Sequence, residues 1–307
     1  MSKIAFLFPG QASQSVGMGN DIYNNIAESK ALYDIAEELF DEFSLINISF
    51  NGPLKDLTET KVTQPAIFVN SVSLYKELEK KGYQPDMVAG HSLGEYSALV
   101  SAGVLSFEEG LNLVKVRSEE MQSATEDSEG TMAAIIGLTY DKVKAVIENS
   151  GISGICQIAN YNSPKQIVIS GAVSAVQSIM MDLKENGAKR AIELPVGGAF
   201  HSPLMESARQ KLQEALEKAN FQKPRFPIYS NVTGTATTDP KEIKQRLNAQ
   251  LTEPVLWVNT IENMLNDGVG KFVEVGPGKV LRGLVKRIRR EAELEGVSTF
   301  EDLEKLV

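Results

Sequence analysis

Two hydrophobic rhythms alternate along this chain. Ile4–Phe8 is an unbroken apolar run closed by Pro9-Gly10, which predicts a buried strand. Between Pro65 and Lys81, Phe68, Val72, Tyr75 and Leu78 recur on one helical face, and Gly82 stops that helix. Met87-Val88-Ala89 predicts another short strand, and Glu95–Leu99 can open a helix after it. Ser106-Phe107-Glu108-Glu109 reads as a capping box for a helix carrying Arg117 and Met121. Ile228–Val232 and Phe272–Val275 are further apolar runs bounded by turn residues. Strands alternating with helices predict a mostly parallel sheet covered on both faces.

From about Thr131 to Val196 the rhythm changes. The pattern predicts a strand over Met132–Leu138, a helix over Asp141–Asn149, and strands over Ile155–Ala159 and Gln166–Ser170 around a turn at Ser163-Pro164. A helix with Val176, Ile179, Met180 and Leu183 on one face then ends at Gly187, and Arg190–Val196 closes as a strand. The order β-α-β-β-α-β is that of a ferredoxin-like unit. The expected organisation is therefore a large α/β domain over 1–128 and 199–307, with a small domain inserted at 129–198. A cleft between two such domains is a favoured ligand site.

Composition narrows the chemistry. The net charge of −9 argues against a nucleic-acid partner, since phosphate contacts need clustered Lys and Arg. Cys156 is the only cysteine, so the chain can form no internal disulfide and carries no CxxC metal site. The run that follows Met1-Ser2-Lys3 is too short to span a membrane and lacks a small-residue cleavage site. The expectation is a cytoplasmic protein with no membrane partner.

Gly90-His91-Ser92-Leu93-Gly94 sits between a predicted strand and a predicted helix, the context in which Gly-x-Ser-x-Gly makes a nucleophile elbow. The small glycines let the turn close and lift the hydroxyl to the helix N-terminus, where backbone N–H groups face developing negative charge. The bland alternative is a glycine-rich turn with a capping serine. A serine hydroxyl needs a base, and the chain has only His91 and His201. His91 adjoins Ser92 and points elsewhere, as a packing or elbow-supporting residue. His201, before Ser202-Pro203, is expected beside a helix N-terminus, which disfavours its cation and leaves it able to accept a proton. No acidic residue stands out as a third triad member, and a backbone carbonyl could orient the ring instead.

Arg117 falls on an apolar stripe with Leu113, Val114 and Met121. It either snorkels to water or forms a fork for a substrate carboxylate. Gln11 follows the first strand, where open α/β sheets place ligand loops, and its side-chain amide could face an oxyanion or be an ordinary loop amide. Gly10, Gly17 and Gly19 match neither a phosphate loop nor a dinucleotide fingerprint, which excludes nucleotide binding of those two kinds.

Together these segments resemble the malonyl-CoA:acyl carrier protein transacylase family of bacterial fatty-acid synthesis. The resemblance spans essentially the whole chain. It includes Phe8-Pro9-Gly10-Gln11, the segment Gly90–Ser97, Met121, Asn160-Tyr161-Asn162-Ser163-Pro164, Ala199-Phe200-His201-Ser202, the segment Ser230–Gly234, Gln250 with Pro254-Val255, and Glu274–Gly278. It implies a hydrolase-like α/β core with a mostly parallel sheet and an inserted ferredoxin-like (βαββαβ) domain.

It also implies Ser92 as nucleophile and His201 as base and then acid. The backbone N–H groups of Gln11 and Leu93 would form the oxyanion hole, in place of the Gln11 side chain. Arg117 would pair with a malonyl carboxylate, the Gln250 carbonyl would orient His201, and Asn160 and Asn162 would lie on the pantetheine side. Phe200, in Ala-Phe-His, matches members that use malonyl units rather than methylmalonyl, since a phenyl ring leaves little space for a branch at the α-carbon. The implied partners are a coenzyme A thioester, malonyl-CoA, as substrate and acyl carrier protein as acceptor, with no bound cofactor and no metal.

Carrier proteins of this family are acidic. Lys286 and Arg287, with Arg289 and Arg290, on a predicted helix after Gly278, are therefore the expected docking face, the alternative being a solvated charged face. A stand-alone acyltransferase serving a polyketide synthase, a serine thioesterase and a non-catalytic acyl-binding protein are the competing readings. The segment after Arg290 carries no interpretable motif.

Overall fold

The computed structural model describes residues 2–306. Its strands are β1 (Lys3–Phe8), β2 (Met87–Gly90), β3 (Gly130–Ile136), β4 (Cys156–Ser163), β5 (Gln166–Ala172), β6 (Arg190–Glu193), β7 (Ile228–Tyr229), β8 (Ala236–Thr237), β9 (Val269–Val275) and β10 (Glu293–Val297). Two sheets result. The larger has the order β10-β9-β1-β2-β7-β8 and is parallel except for the last pair. The smaller has the order β4-β5-β3-β6 and is antiparallel throughout.

The apolar run of β1 is explained by burial on both faces. Phe6 and Phe8 join a core built on the helices Thr60–Lys80 and Phe107–Asp127, whereas Ala5 and Leu7 join a separate core with Trp257, Ile261 and Leu284. A strand at the centre of such a sandwich has no polar face to show, so its residues need not alternate in character. The small sheet packs one face on its own two helices, with Ile135, Ile158, Ile169 and Ile179 in a third core. Its opposite face contributes Met132, Ala159 and Val168 to the main core. The small unit is thus seated on the large one, and the C-terminal ends of β1 and β2 open toward the seam.

Several boundaries differ from the sequence pattern. The helix expected from Pro65 begins earlier, at Thr60, with Pro65 inside it; the cost of an interior proline is offset by burial of Val62, Ala66, Ile67 and Phe68 around it. The strand expected over Ile228–Val232 ends at Tyr229, where Asn231 turns away to serve the site described below. The strand expected to reach Val196 ends at Glu193, just short of Pro195, which has no N–H for the ladder. The capping box at Ser106 and Glu109 forms as read. The uninterpreted C-terminal segment supplies the edge strand β10 and a helix, Phe300–Lys305, opened by a capping box at Thr299.

Candidate active site

Ser92 stands in the turn between β2 and the helix Gly94–Ser101 with φ 52°, a left-handed conformation that costs a non-glycine residue about 1–3 kcal/mol. The flanking glycines are required by space. A Cβ on Gly90 would lie 1.8 Å from the Gly94 carbonyl carbon, and one on Gly94 would lie 2.0 Å from the Phe8 carbonyl oxygen. The strained serine is held from both sides: its N–H donates to Asn231 Oδ1 at 2.7 Å and its carbonyl accepts from Gln250 Nε2 at 3.0 Å.

His201, also left-handed at φ 55°, reaches the same point from a distant segment. Its Nδ1–H donates to the Gln250 backbone carbonyl at 2.7 Å, and a carbonyl can only accept. That fixes the tautomer and leaves the Nε2 lone pair for the Ser92 hydroxyl, 2.9 Å away. Burial, with the Arg117 charge adding, pulls the His201 pKa down to about 3. Burial is thus the first cause of its neutrality, and the helix N-terminus expected beside it is present, with Ser202 as N-cap and Pro203 at the start of the short helix Pro203–Met205.

Arg117 is 1% exposed, so it does not snorkel to water. Its Nη1 donates to Gln64 Oε1 at 2.6 Å, and Nη2 donates to Ser92 Oγ at 2.9 Å and to Gln250 Oε1 at 3.0 Å. Nε finds no partner, and among the described residues no carboxylate forms an ion pair with the guanidinium. The nearest acid of note, Glu95, lies behind the elbow and reaches Arg117 only through the Gln250 amide. Its Oε2 accepts from Gln250 Nε2 at 2.8 Å and from the Asn231 N–H at 3.2 Å, and burial pushes its pKa up to about 7. A buried cation held by neutral acceptors beside a nucleophile is a site short of one anion.

These groups line a cleft of about 260 Å³ between the two sheets. Gln11, Ser92, Arg117 and His201 form one wall, with Met132, Asn160, Asn162 and Val168 from the small sheet opposite. The loop after β1 is pressed against the elbow: a Cβ on Gly10 would sit 2.4 Å from the His91 carbonyl oxygen and 3.8 Å from the Leu93 nitrogen. Among the described residues, neither the Gln11 nor the Leu93 backbone N–H donates to a protein acceptor. Both are therefore available to an oxyanion formed at Ser92. The Gln11 side chain turns away to Thr60 Oγ1 at 3.4 Å, which corrects the side-chain reading of its amide.

Residues 5–301 match the acyl transferase domain family. The chain belongs to that family. Malonyl CoA-acyl carrier protein transacylase of Bacillus subtilis (strain 168) is 44% identical over 305 residues, covering 99% of this chain and 96% of the relative. A crystal structure of an acyl carrier protein S-malonyltransferase from Vibrio cholerae superposes with a TM-score of 0.95 at 40% identity, covering all of both chains. A malonyl-transacylase solved in complex with its type II PKS acyl-carrier protein superposes with a TM-score of 0.94 at 37% identity, covering 99% of this chain and 98% of that one.

In this acyl transferase domain the remaining expected residues are placed as follows. Phe200 is buried on the cleft wall beside His201. Asn162 Oδ1 accepts from His91 Nε2 at 2.8 Å and the His91 ring packs on Trp257, whereas the Ser92 hydroxyl is met by His201 and Arg117. Asn160 lines the cleft one strand position pair away. Lys286 and Arg287 end the helix Val280–Ile288, and Arg287 also reaches Gln166 of β5. Arg289 and Arg290 lie beyond that helix rather than on it. Among the described residues there is no His, Cys, Asp or Glu cluster that could hold a metal, and no helix is long and apolar enough to cross a membrane.

The sequence reading missed Gln64, Glu95, Asn231 and Gln157. Gln64 carried a signal, because it falls one turn before Phe68 on the same buried face, a polar residue on an apolar stripe. Glu95 and Asn231 lay inside quoted motifs without an assigned role, and nothing in their spacing marks them as partners.

Proposed function

We propose that this chain is a malonyl-CoA:acyl carrier protein S-malonyltransferase of fatty-acid biosynthesis, acting in the cytoplasm through a Ser92 acyl-enzyme and without a bound cofactor. The observation that carries the reading is the position of Ser92 Oγ, 2.9 Å from His201 Nε2 and 2.9 Å from Arg117 Nη2. A base and an unpaired cation meet at one nucleophile. Relatives at about this level of identity that bear the malonyl-transacylase name support the substrate and the carrier-protein acceptor.

In the first half-reaction His201 Nε2 takes the Ser92 proton as Oγ attacks the thioester carbonyl. The tetrahedral oxyanion is received by the Gln11 and Leu93 N–H groups, each such donor being worth about 10²–10³ in rate. The C–S bond breaks and imidazolium returns the proton to the coenzyme A thiolate. The carrier's phosphopantetheine thiol then repeats the sequence against the acyl-serine, restoring Ser92 and releasing the malonyl thioester.

Arg117 pairs with the malonyl carboxylate. That pairing also eases a difficulty of the free enzyme, where burial first and the guanidinium charge second oppose protonation of His201. A carboxylate on Arg117 cancels the opposing charge as the imidazolium forms. An acetyl group leaves the cation unpaired. Phe200 limits branching at the α-carbon.

The half-reaction is tested by exchange of labelled coenzyme A into malonyl-CoA with no carrier present. The proposal requires exchange without the carrier and little free malonate. Malonate release at the rate of thioester consumption would point to a thioesterase, and absence of exchange would remove the acyl-enzyme.

A further inference from the structure

The imidazole of His201 works only if its ring is held at one rotation. That rotation depends on two backbone positions far apart in sequence: that of His201, and that of Gln250, whose carbonyl receives Nδ1–H. His201 sits in a left-handed conformation, and its own carbonyl oxygen is not taken up by a regular helix or strand. Gln250 leads into a turn in which the Thr252 N–H donates to the Ala249 carbonyl.

One side chain touches both segments. Gln157, near the start of β4, donates from Nε2 to the His201 carbonyl at 2.8 Å and to the Thr252 carbonyl at 2.9 Å. Both protons of a single amide nitrogen are thus used, one on each side of the His201–Gln250 contact. The strand that carries Gln157 is itself fastened to the same turn. Val255 N–H donates to the Ala159 carbonyl at 2.8 Å and Tyr161 N–H donates to the Val255 carbonyl at 2.9 Å, so the amide is presented from a seam and not from a loose loop.

We propose that Gln157 is a positioning residue for the catalytic base, by which the small sheet sets the orientation of His201. It rests on the reading of His201 as the base given above. Gln157 touches neither the hydroxyl nor the cleft groups that hold the acyl carboxylate, so its effect falls on proton transfer and not on substrate choice. A misplacement of the ring by a fraction of an ångström is enough, since displacement of about 1 Å at a reacting group costs about 10²-fold. The required chemistry is also specific: two donors on one planar nitrogen. A carboxylate of the same shape would set acceptors against two carbonyl oxygens.

The test uses the full-length Gln157→Leu and Gln157→Glu proteins. For each, kcat and KM of coenzyme A exchange are measured with malonyl-CoA and with acetyl-CoA, and the His201 Nδ1–H resonance and thermal midpoint are recorded. The expected result is a fall in kcat of about 10- to 100-fold, shared by both acyl groups, with KM nearly unchanged and a shifted or broadened Nδ1–H signal. The thermal midpoints show that each variant is folded. Gln157→Glu retains the side-chain size should Gln157→Leu fold poorly. A kcat near that of the unaltered protein in either folded variant, or a lost kcat with an unaltered Nδ1–H signal, would overturn the proposal. His201→Ala is run beside them: if it keeps its rate, the base assignment itself fails, a result separate from a silent Gln157 substitution.

Discussion

Ser92 and His201, 109 residues apart in the chain, meet at 2.9 Å with each held in a left-handed backbone conformation. One serine sat between two glycines at a strand-to-helix junction, and only one histidine was free to face it. Arg117 was legible as a polar residue on an apolar stripe, but the choice between snorkelling and a carboxylate fork needed its three-dimensional surroundings. With Nε unpartnered and no ion pair among the described residues, the surroundings favour the fork. Arg117→Ala should cost malonyl transfer about 1.5–3 kcal/mol, roughly a tenfold to hundredfold loss, and acetyl transfer much less. Steady-state kinetics on both thioesters check this, and equal losses would remove Arg117 from its role.

Glu95 yields a prediction on stability. Its pKa is about 7 in the folded chain, against an ordinary 4.5. Below pH 4.5 it is protonated whether folded or not; as pH rises toward 7 the unfolded chain ionises first, and stability is lost. The thermal midpoint of the unaltered protein, taken relative to Glu95→Gln, should therefore fall between pH 4.5 and 7, by the equivalent of about 3 kcal/mol at most, and level off above. His201 titrates in the opposite sense but is common to both proteins, so the difference isolates Glu95. A difference independent of pH would contradict the buried-acid assignment.

At the scale of elements, the periodic runs at Asp141–Asn149 and around Val176 and Leu183 form the helices expected of them, whereas the helices Ala27–Leu39, Glu206–Lys218, Pro240–Ala249 and Trp257–Asn266 were not read from the pattern. The pattern also failed at ends. Ile228–Val232 looked like one strand because apolar character says nothing about Asn231 turning to hold the Ser92 N–H. Gln157, Asn231 and Gln250 act across separations that no local pattern encodes. The β1 loop illustrates the same limit. Its glycine was visible, but its reason, a close approach to the His91 carbonyl, was not. Gly10→Ala should push this loop off the elbow and shift the Gln11 N–H. The expected kcat loss is about 10²–10³ with little change in KM, the cost of one oxyanion donor. A kcat within a fewfold of the unaltered enzyme would show that the loop can yield.

Across the whole molecule, an acidic chain has to receive an acidic carrier. Lys286 and Arg287 cap the exposed end of the helix Val280–Ile288, whose inner face, through Leu281 and Leu284, lines the cleft. A carrier bound there would stand beside the acyl-serine. Reversing both charges to Glu should slow transfer to the carrier about tenfold at low salt, with the difference shrinking as salt rises. Coenzyme A exchange should be untouched. Loss of exchange as well, or no loss of transfer, would move the docking face elsewhere.

The proposed transfer passes through a covalent intermediate at Ser92 made possible by His201. Intact-protein mass spectrometry after addition of malonyl-CoA, followed by peptide mapping, tests this most directly. The predicted result is a gain of one malonyl group on the peptide containing Ser92, absent in Ser92→Ala, strongly slowed in His201→Ala, and discharged by holo carrier protein. A malonyl group mapped to another residue, or transfer to the carrier by the Ser92→Ala protein, would contradict it.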